Sequence, residues 1–100
     1  MKSKVVVMCG SLRFLDVIQK EAERLELEKE YAVITILPHV LERELTAEDK
    51  NALGEMHLRK IDLADAIYVV NVNGYIGEAV LKEIAYAQEK GKEILYFCEK

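Results

Sequence analysis

One carboxylate, one imidazole and two loops hold the residue types that could do chemistry in this chain. Glu83 lies in a segment of helical period, Ile76 to Lys90, in which Ile76, Val80, Ile84 and Ala87 form an apolar stripe and Glu78, Lys82 and Glu89 fall opposite. Glu83 sits at the edge of that stripe, the position where an acid on this helix is most desolvated. Two readings follow: a rim residue paired with a lysine, or a nucleophile or general base on the first turns of the helix. His57, near the inward face of an earlier helical segment, reads either as a satisfied structural histidine or as an acid catalyst. The loops are Gly10-Ser11-Leu12-Arg13 and Asn71-Val72-Asn73-Gly74-Tyr75-Ile76-Gly77-Glu78. Each leads into a helix start, whose unpaired N–H groups and partial positive charge favour an anion. Arg13 adds a charged fork, so a phosphate or carboxylate is the guest these loops suit.

The elements that must position these residues read in order. Lys4-Val5-Val6-Val7-Met8-Cys9 is a β-branched run too short for a helix, which predicts a central parallel strand buried on both faces. Gly10-Ser11 ends it, and Ser11 is placed to cap a helix with Phe14, Leu15, Ile18, Ala22 and Leu25 inward. Tyr31 to Leu37 reads as the second strand, stopped by Pro38. Pro38 to Leu45 has no regular pattern, and His39 there reads as a solvated loop residue. Thr46-Ala47-Glu48-Asp49 has the form of a capping box, which starts a second helix running to Leu63 with Leu53, Met56, Ile61 and Ala64 inward. Ala66 to Val72 is the third strand, Ile76 to Lys90 the third helix with Gly91 as its stop, and Lys92 to Cys98 the fourth strand.

This β-α-β-α-β-α-β succession predicts an α/β fold, a three-layer αβα sandwich of the Rossmann-like or flavodoxin-like kind with a four-stranded parallel sheet. The expected strand order is 2-1-3-4, in one domain over residues 1–100. The order reverses between strands 1 and 3, so the crevice for a small ligand opens between the two loops named above. Asp65 precedes strand 3 and falls at the opposite, amino edge, where it reads as a turn residue.

Composition narrows the partners. Fourteen Lys and Arg stand scattered among eighteen Asp and Glu, giving a net charge of −4 and no basic nucleic-acid surface. The start, Met1-Lys2-Ser3-Lys4, leads into an apolar run too short for a secretory or membrane-spanning segment, so a cytoplasmic protein without membrane contact is expected. Cys9 and Cys98 sit in or beside apolar strands and read as two buried thiols rather than a disulfide. Two histidines without ligand spacing predict no metal site, and no cofactor is expected. A cysteine phosphatase loop needs more residues between its nucleophile and arginine than Cys9 to Arg13 provides. A receiver domain needs acids that Met8-Cys9-Gly10 and Val70-Asn71-Val72 lack, and no dinucleotide glycine fingerprint follows strand 1.

Taken together, Cys9-Gly10-Ser11-Leu12-Arg13 after strand 1, Ala64-Asp65 before strand 3 and Glu83-Ile84-Ala85-Tyr86-Ala87 on the next helix resemble the nucleoside 2-deoxyribosyltransferase-like superfamily. Its small bacterial members, related to the 2'-deoxynucleoside 5'-phosphate N-hydrolases, are the nearest in pattern. The resemblance implies cleavage or transfer at an N-glycosidic bond, with Glu83 in the place of the glutamate that attacks the anomeric carbon. It puts His57 where the family has an aspartate, as the group that would protonate the leaving base. It implies a substrate site built from Gly10, Ser11, Arg13, Asn71, Asn73, Gly74, Gly77 and Glu78, and a homodimer, since relatives complete their sites across a subunit interface. The chain departs from the family in the residues before the nucleophile, Ala79-Val80-Leu81-Lys82, where small or polar residues are usual, and in Phe14, where the N-hydrolases have glycines. Two functions are therefore expected as alternatives: an enzyme acting on a nucleoside or nucleoside 5'-monophosphate, or a nucleotide-binding module with the same crevice and no catalysis.

Overall fold

The computed structural model describes residues 3–98. Met1, Lys2, Glu99 and Lys100, the ends of the expected domain, lie outside the described residues. Four parallel strands, β1 (Val5–Cys9), β2 (Ala32–Ile34), β3 (Ala66–Val69) and β4 (Glu93–Tyr96), form one sheet in the order β2-β1-β3-β4. Three helices connect them: α1 (Leu15–Arg24), α2 (Ala47–Leu63) and α3 (Glu78–Glu89). The right-handed crossover rule fixes their sides, because β1 to β2 steps one way along the sheet and the other two crossovers step back. Hence α1 covers one face alone, and α2 with α3 cover the other.

Side-chain parity on the central strands divides the core accordingly. Val6, Met8, Ala66, Tyr68 and Val70 pack with Ile18 and Leu25 of the α1 layer. Val7, Cys9, Ile67 and Val69 pack with Ile61, Val80, Ile84 and Ala87 of α2 and α3. This parity sends the side chain of Cys9 toward α2 and α3, a direction that a strand buried on both faces does not disclose in its sequence.

The helix ends follow local chemistry. Thr46 Oγ1 accepts from the Asp49 N–H and the Asp49 carboxylate accepts from the Thr46 N–H, which completes the expected capping box. Gly91, at φ 73°, takes the left-handed turn after α3. The first helix departs from expectation: Ser11 accepts from the Arg13 N–H and caps a short 3-10 turn over Leu12–Phe14, and α1 itself starts at Leu15. Its far end widens into a π turn over Leu25–Lys29 that closes at Glu30, φ 58°.

Two further expectations are corrected. The second strand, expected to reach Leu37, pairs only through Ile34, because β2 is an edge strand held by β1 alone and Pro38 ends any extension. Leu53 and Met56, expected inward, are 54% and 53% exposed. Only the second half of α2 meets the sheet, through His57, Leu58 and Ile61; its first turns carry no buried residue. No helix among the described residues is long and apolar enough to cross a membrane.

Candidate functional site

Three side chains from three elements converge beneath the carboxyl edge of the sheet. Cys9 is the last residue of β1 and fully buried. His57 comes from the first turn of α2 that touches the sheet, and Glu83 from the second turn of α3, one position before the buried Ile84. Cys9 Sγ lies 3.3 Å from His57 Nε2, and His57 Nε2 lies 3.6 Å from Glu83 Oε1. One ligand atom from each residue falls within 4.8 Å of the other two. The His57 and Glu83 side chains keep 12% and 19% of their surface exposed, whereas Cys9 is closed off from solvent.

Burial works against charge on all three groups. Desolvation lifts the Glu83 carboxyl to about 7, against which a hydrogen bond to Cys9 acts only in part. Desolvation also pushes the Cys9 thiol well up, helped by the neighbouring Glu83 charge. His57 is shifted down, by burial first and by the Lys60 charge second, so its imidazole is mainly neutral at neutral pH. The result is a carboxyl group held well above the ordinary carboxylate range beside an imidazole held below its own, a combination that is common at functional sites.

No family model and no curated protein matches the chain.

The two loops meet each other at the carboxyl edge of the sheet. The Arg13 guanidinium lies 4.6 Å from the centre of the Tyr75 ring, and Phe14 meets the same ring edge-on at 6.0 Å. An aromatic and cationic clamp thus joins the loop after β1 to the loop after β3. Gly10 is required by close approach: a Cβ there would stand 3.1 Å from Ile18 Cδ1 and 3.3 Å from both Val70 Cβ and Val70 O. Asn73 and Gly74 take left-handed backbone, φ 55° and 82°, in a 3-10 turn closed by Gly74 N–H to Asn71 O and Tyr75 N–H to Val72 O. Gly77 starts α3, and its free space ends at the Tyr75 hydroxyl, 3.3 Å from where a Cβ would sit. Glu78 is exposed on the first turn.

Not every expected ligand residue is free to act as one. The buried Asn71 uses its amide on the backbone of Cys98, donating from Nδ2 to the carbonyl at 2.9 Å and accepting at Oδ1 from the N–H at 2.8 Å. It ties the loop after β3 to the segment after β4. Ser11 spends its hydroxyl on the Arg13 N–H. Asp65 sits at the amino edge as expected, accepting from the Val5 N–H. His39 stays in the irregular loop, against Arg43 O.

Sequence reasoning missed Cys9, read only as core, and the ring of Tyr75. It also missed Glu21, a buried acid on α1. Glu21 accepts from the Tyr68 hydroxyl at 2.6 Å and from Arg24 at 2.6 and 3.1 Å. The Arg24 guanidinium holds that carboxyl down, while burial and Glu21 push the Tyr68 hydroxyl up to about 12. Tyr68, Arg24 and Asn71 line a groove of about 800 Å³ on the α1 face, which touches neither His57 nor Glu83.

Proposed function

We propose that this protein cleaves or transfers at the N-glycosidic bond of a nucleoside or nucleoside 5'-monophosphate, with Glu83 as the nucleophile. The observation that carries this reading is a largely buried carboxyl group with an imidazole 3.6 Å away, below the carboxyl edge of a parallel sheet where ligands bind in such folds. The resemblance of the Gly10–Arg13 and Glu83–Ala87 motifs to the nucleoside 2-deoxyribosyltransferase-like superfamily supports it. In the first step a Glu83 oxygen bonds to the anomeric carbon as the bond from that carbon to the base nitrogen breaks. The electron pair leaves on the base, which takes a proton, and the sugar stays on Glu83 as an ester. Water, or a second base, then attacks the anomeric carbon and restores the carboxylate.

His57 serves this step as a neutral hydrogen-bond donor or proton relay, since its lowered pKa leaves little imidazolium at neutral pH. Arg13 and Tyr75 would frame the base or sugar, and the helix start at Gly77 would receive a 5'-phosphate. The homodimer belongs to the same proposal; Leu53, Met56 and Leu63, exposed on α2, are residues such an interface would cover.

The alternative is a binding module without turnover. Arg13 held on Tyr75 and the crowding of Glu83 by Cys9 and His57 favour it. Chromatography for free base after incubation with ribo- and deoxynucleosides and their 5'-monophosphates separates the two. Base release by the wild type and not by Glu83→Ala supports the enzyme. No release, together with a nucleotide-dependent rise in melting temperature, replaces it with the module.

A further inference from the structure

We infer that Cys9, His57 and Glu83 form a site for one divalent transition-metal ion of the zinc class. The spacing of two histidines predicts none, because two of the three donors reach the site only through tertiary structure. Two of the three donor separations match the edges of a tetrahedral centre, and the third lies within 4.8 Å. With metal–sulfur near 2.3 Å and metal–nitrogen or –oxygen near 2.0–2.2 Å, the edges of a tetrahedron come to roughly 3.4–3.6 Å. Cys9 Sγ to His57 Nε2 is 3.3 Å and His57 Nε2 to Glu83 Oε1 is 3.6 Å, with all three atoms within 4.8 Å. A tetrahedral ion would sit just off the plane of these three atoms, with the Cys9–Glu83 edge closing as it binds.

The donor set selects the ion. A thiolate and an imidazole with a single carboxylate suit zinc, cobalt and their neighbours, whereas magnesium and calcium require mostly oxygen ligands. Charge also fits a buried position: one thiolate, one carboxylate and a neutral imidazole balance a dication. Each donor is fixed by a different packed element, Cys9 by the central strand, His57 by α2 and Glu83 by α3. Three protein donors leave a fourth position for a water or an exogenous ligand, and His57 and Glu83 each keep some solvent exposure.

Binding exchanges protons for metal. A thiol must lose its proton to bind, so protons leave on metal binding and affinity falls as pH is lowered. The inference is independent of the glycosidic reading, but it has a consequence for it: metal on Glu83 occupies the nucleophile, so the metal would act as an inhibitor and a chelator as an activator.

The test uses the whole protein, stripped with a chelator and titrated with Co²⁺ alone. One equivalent is expected to produce the visible bands of tetrahedral cobalt and a thiolate-to-cobalt charge-transfer band, both abolished by added Zn²⁺. Cys98→Ser is expected to keep both bands and Cys9→Ser to lose the charge-transfer band. Glu83→Gln and His57→Ala are expected to weaken binding at least tenfold, with circular dichroism confirming that each variant is folded. Absence of bands in the wild type, octahedral spectra, or a charge-transfer band that follows Cys98 instead of Cys9 would overturn the site. Should Cys9→Ser fail to fold, unchanged affinity in both Glu83→Gln and His57→Ala would do the same. The spectra require no turnover, so loss of the glycosidic reading leaves this result standing, and the reverse.

Discussion

Replacing Glu83 by Gln should stabilise the protein, and by an amount that depends on pH. In the unfolded chain the carboxyl titrates at the ordinary 4.5; in the folded protein burial raises it to about 7. A group whose folded value is raised is at its most favourable below the unfolded value, where it is neutral in both states. Its contribution is lost as pH rises from about 4.5 to beyond 7, because the folded protein must then hold a charge that water solvates better. The shift of about 2.5 units is worth roughly 3 kcal/mol at 1.36 kcal/mol per unit, fully expressed above pH 8. The site's small exposed fraction leaves this as an upper figure. Glutamine has nearly the same shape and carries no charge, so Glu83→Gln should exceed the wild type by up to about 3 kcal/mol at pH 8.5, while the two converge below about pH 4. Urea unfolding of both proteins across pH 3.5 to 8.5, with chelator present, measures the gap directly. A gap that is constant with pH, or that widens toward acid, would refute the claim that Glu83 is held against its charge. A stability cost of this kind is what a carboxylate kept for chemistry imposes on its fold.

Two further substitutions probe the packing on the α1 face of the sheet. Tyr68→Phe removes the 2.6 Å hydrogen bond to the buried Glu21 carboxylate and should cost about 1.5–3 kcal/mol in urea unfolding, with less at acid pH where Glu21 is protonated. Gly10→Ala places a methyl group 3.1 Å from Ile18 Cδ1 and should cost about 1–3 kcal/mol, a loss that adding Ile18→Val should partly reverse. If the Gly10→Ala and Ile18→Val losses simply add, the crowding at the floor of the crevice is not real.

Much of the fold was legible because the strands are short, largely apolar runs, β-branched above all in β1, and the breaks between elements carry their own chemistry. Val5 to Cys9, the Thr46 to Asp49 box and Gly91 name three boundaries without any tertiary information. The expected strand order, 2-1-3-4, is the one observed, and crossover handedness then puts helices on both faces. What failed was amphipathicity on α2: Leu53 and Met56 share a helical stripe with the inward residues, but the sheet beneath them is only as long as β1 and β3. A period shows which face is apolar and not how much of it is covered.

The site was half legible for a similar reason. Glu83 was visible as an acid on the edge of an apolar stripe, and His57 as a histidine near an inward face. Cys9 was not, because a strand buried on both faces has no alternation to show which side each residue takes. Asn71 looked like a loop ligand until the Cys98 backbone, twenty-seven residues later in the chain, was seen to hold it. Partners brought by long-range packing leave no local signal.

The most direct measurement of Glu83's role is the mass of the intact protein and of its peptides after brief incubation with the nucleosides and 5'-monophosphates, with free base followed in parallel. If Glu83 is the nucleophile, base is released, the protein gains the mass of one glycosyl residue, and the added mass maps to the peptide carrying Glu83. Release of base that persists in Glu83→Gln, an adduct on another residue, or no release from any substrate would contradict it.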